Sequence, residues 1–128
     1  MAELVIDASA MVDLLLGGPL GEAVGRRLRG HALHAPAHLA AEVLSALGRL
    51  SRADALAASD VDLLLVRLAA APVVAHPVSG LLEGAWARRS NLRLADALYV
   101  ELADALGLAL VTTDGRLAPH PTVEVVAA

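Results

Sequence analysis

Neither cysteine nor lysine occurs anywhere in the 128 residues. The missing thiols exclude a disulfide framework, a thiolate zinc centre and a cysteine nucleophile, and a reducing, intracellular home is expected. The missing amines exclude a phosphate-binding P-loop and Schiff-base chemistry, both of which need a lysine. All ten basic residues are arginines. Phenylalanine is absent too, and Trp86 and Tyr99 are the only aromatics of the Phe, Trp and Tyr class. With apolar residues at 57%, above a usual value of roughly 45–50%, the core has to be built from Ala, Leu and Val. No apolar run approaches the ~18 residues of a membrane span. Met1-Ala2-Glu3 leads directly into an apolar segment, without the basic stretch and long apolar run of a secretory signal. A soluble, cytoplasmic protein without membrane contact is therefore expected. A net charge of −4 argues against coating nucleic acid by bulk electrostatics, so any such contact must be local.

What is present alternates between two periodicities. Short apolar runs at Leu4-Val5-Ile6, Leu33 to Ala35, Val73-Val74-Ala75, Leu108 to Val111 and Val123 to Val126 read as strands. Helices are expected over 20–29 after Gly17-Gly18-Pro19, and over 38–50, where Leu39, Val43, Leu47 and Leu50 recur at helical spacing. Further helices are expected over 54–70, 79–89 and 94–106, the last stopped by Gly107. Strands separated by helices imply right-handed crossovers and a parallel sheet covered on both faces. The expected fold is one α/β domain over 1–128, a three-layer α/β/α sandwich around a central parallel sheet of four to five strands.

The acidic residues fall at telling places. Asp7 and Asp114 each stand where a buried strand gives way to a loop, the edge at which open parallel sheets bind ligands. Either could serve only as a helix cap or as half of an Asp-Gly turn. Glu42 and Asp96 lie in the first turns of helices starting at the same rim, where a carboxylate also complements the helix dipole. Asp96 makes the best independent case. At about 100° per residue it shares a stripe with Tyr99, Val100 and Ala103, whereas Glu101 and Asp104 occupy the opposite border. A carboxylate among apolar neighbours is costly unless paired or bound to a metal, and no lysine exists to pair it. Four carboxylates without cysteine or paired histidine make an oxygen-only site suited to Mg²⁺, with Mn²⁺ as a substitute, and to phosphoryl chemistry. The hydroxyl of Thr112 is placed to support it, and Ser9 either joins it or caps the next helix. The five histidines share neither a metal-binding motif nor a helical face and are expected to be structural or exposed.

These residues carry a family resemblance. Val5-Ile6-Asp7-Ala8-Ser9, Glu42, Leu94-Ala95-Asp96-Ala97-Leu98-Tyr99 and Leu110-Val111-Thr112-Thr113-Asp114-Gly115-Arg116-Leu117 occur in that order, and in this the chain resembles a PIN-domain ribonuclease, more narrowly a VapC-type toxin of a toxin–antitoxin pair. The resemblance implies magnesium-dependent cleavage of single-stranded regions of RNA, with Asp7, Glu42, Asp96 and Asp114 as the acidic quartet and Thr112 as the accompanying hydroxyl. It also implies a homodimer neutralised by a small VapB-like antitoxin whose C-terminal segment fills the active-site groove. With so few aromatics, the grip on RNA must come from arginines; Arg93 ahead of Asp96 and Arg116 behind Asp114 are the candidates, whereas Arg26, Arg27 and Arg29 read as a solvated helix face. Two other readings stay open on residues alone: an aspartyl-phosphorylated, magnesium-dependent phosphotransfer domain, which commonly uses a lysine, and a non-catalytic PIN-like interaction module.

Overall fold

Glu3–Ile6 form the first strand, β1, whose last three residues are buried, as a strand covered on both faces requires. The computed structural model describes residues 2–128. Four more strands follow, β2 (Ala32–Pro36), β3 (Val73–His76), β4 (Leu110–Thr112) and β5 (Val123–Val125), and six helices, α1 (Ala8–Leu16), α2 (Gly18–Leu28), α3 (Leu39–Arg52), α4 (Ala58–Ala70), α5 (Leu82–Ala87) and α6 (Leu94–Leu106). All strand pairings are parallel, in the order β3-β2-β1-β4-β5. Helices α1 to α4 pack on one another, while α6 lies along β1, β2 and β4 with α5 against it. The reversal of direction between β3 and β4 puts the second group on the opposite face, which gives the three layers. The core is aliphatic apart from Tyr99, with Ile6, Met11, Leu47, Val100 and Leu110 among its most buried members.

Several elements differ from their expected spans for local reasons. Helix α1 has no separate sequence signature, because Ala8 to Leu16 continues the apolar run of β1 almost without a polar face. Asp7 starts it: in an extended conformation it accepts the Ala10 N–H at 2.9 Å and caps the helix. Helix α4 begins at Ala58 rather than 54, after a turn in which Asp54 adopts φ +57°. The 79–89 segment splits into a 3₁₀ turn (Val78–Leu81) and the short α5, as two glycines, Gly80 and Gly84, weaken a continuous helix. Helix α6 has the expected bounds. Gly107, at φ +67°, and Leu108 close it by donating to Asp104 O and Ala103 O at 3.2 and 3.0 Å, a Schellman motif. Leu108 is thereby claimed by the helix end, and β4 starts only at Leu110.

Candidate active site

The chain leaves β1 toward β2 and β3 on one side and returns to β4 on the other, so β1 and β4 flank the switch point where ligands bind in such sheets. Asp7 follows β1, and Thr112 ends β4 with Asp114 two residues on. The Asp7 carboxylate is only 4% exposed. Its Oδ1 accepts from Ser9 Oγ at 2.8 Å as well as from Ala10, and its Oδ2 accepts from the fully buried Thr112 hydroxyl at 2.5 Å. Burial nevertheless pushes the Asp7 pKa above the usual carboxylate range, outweighing those donors, and the charge of Asp96 adds to the rise. Thr112 Oγ1 also accepts the Asp114 N–H at 3.0 Å, tying the two strand ends together. Ser9, left between two roles by the sequence, joins this network: its Oγ stands 3.0 Å from Thr112 Oγ1 and accepts the Thr113 N–H at 3.3 Å.

Asp96, in the first turn of α6, is the electrostatic centre of the group. Burial raises its pKa, Arg93 opposes that, and the charges of Asp114 and Glu42 raise it further. Arg93 Nε comes no closer than 3.9 Å to Asp96 Oδ2, too long for a hydrogen bond. The apolar stripe read from the sequence is present, with Tyr99, Val100 and Ala103 buried. Asp114 behaves oppositely. Its carboxylate takes Arg116 N at 3.0 Å and the Arg116 guanidinium at 2.6 Å, which hold its pKa below the usual range.

Glu42, one turn into α3, accepts the Tyr99 hydroxyl on Oε1 at 2.6 Å and faces His38 Nε2 at 3.2 Å. The His38 contact, despite partial burial, holds its pKa down. His38 was not expected to matter. The signal for it was present, since His38 and Glu42 stand four residues apart at a helix start, on one face. Asp13 was likewise overlooked; its Oδ2 accepts the Thr113 hydroxyl at 2.6 Å and it borders the site.

The fold thus gathers all four expected acids, yet among the described residues no three His, Asp or Glu side chains are close enough to encircle one ion. Arg116 occupies Asp114 and Tyr99 occupies Glu42, so the donor set is all oxygen but partly committed. A groove of about 840 Å³ between α1 and α3 is lined by Glu42, alone of the four acids, together with Ser9, Val12, Asp13, Arg49 and Leu50. Among the arginines, Arg93 and Arg116 expose 68% of their side chains at the rim. Arg88 is instead consumed by Glu101 and Asp104 at 3.0 and 2.6 Å, and Arg89 lies over the Trp86 ring at 4.7 Å. Arg27, expected on a solvated face, pairs with Glu124 of β5.

Comparison with known proteins agrees with this geometry. Residues 4–120 match the sequence model of the PIN domain. Ribonuclease VapC3 of Mycobacterium tuberculosis is 58% identical over 91% of this chain and 85% of its own length. Two solved structures share the fold at low identity. One is VapC20 of Mycobacterium tuberculosis, a Sarcin-Ricin loop cleaving toxin (TM-score 0.70, 19% identity, 98% of this chain and 100% of that one). The other is a toxin-antitoxin complex from Klebsiella pneumoniae (TM-score 0.61, 17% identity, 96% and 97%). A parallel sheet in the order β3-β2-β1-β4-β5, acids at its switch point and this degree of identity place the chain in the PIN-domain family, among the VapC ribonucleases.

Proposed function

We propose that this protein is a magnesium-dependent endoribonuclease that cleaves single-stranded regions of RNA, the toxin of a toxin–antitoxin pair. The observation that carries the reading is the gathering of Asp7, Glu42, Asp96 and Asp114 at one sheet edge, with Asp7 and Asp96 held there against burial and mutual repulsion. A scaffold gains nothing from repelling acids, whereas a hard divalent cation offsets them. The residues fit such a cation by chemistry: the donors are carboxylate oxygens, and no lysine competes for them. Asp7, Asp96 and Asp114 would hold it, with Glu42 nearby; the ion would supply a Lewis acid for the phosphate and lower the pKa of a bound water.

The chain's own groups do the rest. Ser9, Ala10 and Thr112 fix the Asp7 carboxylate through both oxygens. Asp114 can turn toward a cation by giving up Arg116, which frees that guanidinium for a phosphate of the RNA. Arg93, exposed beside Asp96, is the second phosphate contact. Glu42 would meet the cation through a water or accept the proton of the attacking water. A small VapB-like antitoxin would neutralise the enzyme by laying its C-terminal segment in the groove beside Glu42, and the working form would be a cytoplasmic homodimer.

The test is cleavage of single-stranded RNA with Mg²⁺, with EDTA, and by Asp7→Asn and Asp96→Asn. Wild type should cut only with the metal, and each variant should lose at least about a hundredfold in rate. Equal behaviour of all four reactions would end the nuclease reading.

A further inference from the structure

Cation binding alone does not explain the surroundings of Glu42. Its Oε1 accepts the Tyr99 hydroxyl of α6 at 2.6 Å, and His38 Nε2 stands 3.2 Å from the same oxygen. Tyr99 is the sole tyrosine of the chain, 1% exposed, and stands three residues after Asp96, so one turn of α6 delivers both the Asp96 carboxylate and the hydroxyl that grips Glu42. A phenol this buried needs a hydrogen-bond partner, and Glu42 is the one it has. The hydroxyl is thereby the donor and the carboxylate the acceptor. His38 Nε2 bonds the backbone carbonyl Ala95 O at 3.3 Å, so that nitrogen carries the ring proton, while Nδ1 is buried without a partner. The His38 ring packs on Tyr99 with centroids 4.7 Å apart. The pair forms one clamp across α3 and α6.

We propose that Tyr99 is a positioning residue, backed by the His38 ring, whose hydroxyl commits Oε1 of Glu42 and leaves Oε2 as the oxygen free to the acidic cluster. Glu42 then meets a divalent cation through one oxygen or through the cation's water, and never as a chelating carboxylate. Chelation would pull Oε1 away from the Tyr99 hydroxyl and strand a buried phenol, the costlier arrangement. This rests on the metal-dependent nuclease reading.

Because the chain has one tyrosine, UV resonance Raman spectroscopy reads its hydroxyl without labelling, through the Fermi-doublet ratio. Metal-free wild type should show a phenol donating strongly to a carboxylate, Glu42→Gln should weaken that signature, and Mg²⁺ should leave the wild-type signature in place. A wild-type ratio that Glu42→Gln does not move, or a donor signature that Mg²⁺ abolishes, overturns the proposal. In RNA cleavage, Tyr99→Phe, which keeps the ring in the core, should lower kcat by about tenfold to a hundredfold with KM unchanged. Tyr99→Phe combined with Glu42→Gln should be no slower than Glu42→Gln alone, because the hydroxyl acts through that carboxylate. Additive losses would make Tyr99 a general packing residue and sink the idea. Should wild type fail to cut RNA at all, the nuclease reading falls, and the metal-free Raman comparison still decides whether the hydroxyl is committed to Glu42.

Discussion

Asp96 is surrounded by the charges of Asp7, Glu42 and Asp114 while Arg93 stays 3.9 Å away. Its ionised form is therefore tolerated rather than favoured. Asp7 and Asp96 both have raised pKa values in the fold, so between the ordinary carboxylate range and those raised values the native state holds protons more tightly than the unfolded chain. Stability contributed by these two groups is present below that window and declines as pH rises through it. Asp96→Asn should then raise the metal-free melting temperature at neutral pH, by a few degrees for about 1 kcal/mol of relieved repulsion, while abolishing cleavage. A drop in melting temperature, measured by calorimetry without metal, would mean that Asp96 is paired more favourably than its neighbours indicate. This residue was legible from the sequence because its helical stripe is apolar. His38 was legible only in part: its spacing of four from Glu42 put the two on one face, but a histidine at a helix start looks alike whether it faces water or, as here, Tyr99 and Glu42.

Among the elements, the junction of α1 and α2 leaves no room for a side chain at Gly21. A Cβ on the buried Gly21 would run into the backbone carbonyl of Asp13, which cannot move without shifting the last turns of α1. Gly21→Ala should cost about 1–3 kcal/mol or somewhat more, read as a lowered denaturant midpoint. Since α1 also carries Asp13 and Ser9, cleavage should fall with it; an unchanged midpoint would show that the two helices can separate freely. α6 could be read from its period and its Gly107 stop, because its signals are local. α1 could not, since a short helix buried on most sides has the same apolar run as a strand. α5 was overextended because glycines that break a helix do not say where the break falls.

For the molecule as a whole, clustered acids without a counter-ion predict that millimolar Mg²⁺ raises the melting temperature, more at low salt than at high. Asp96→Asn should blunt that shift. No shift in wild type would count against a cation at this edge. The sequence by itself determined what chemistry is available: oxygen donors without thiol or amine, acids at strand ends and helix starts, an aliphatic core, and strands alternating with helices in an order that implies a parallel sheet. These are properties of residue type and of local period, which a linear chain carries in full. Only the tertiary structure decided how the four carboxylates differ, with Asp7 fixed by the Thr112 hydroxyl, Asp96 at the centre of the repulsion, Asp114 held by Arg116, and Glu42 gripped by Tyr99 and His38. Except for Arg116 and His38, those partners lie far apart in the chain, Tyr99 and Glu42 by 57 residues. Such pairings are set by how helices cross the sheet and each other, for which local sequence carries no signal.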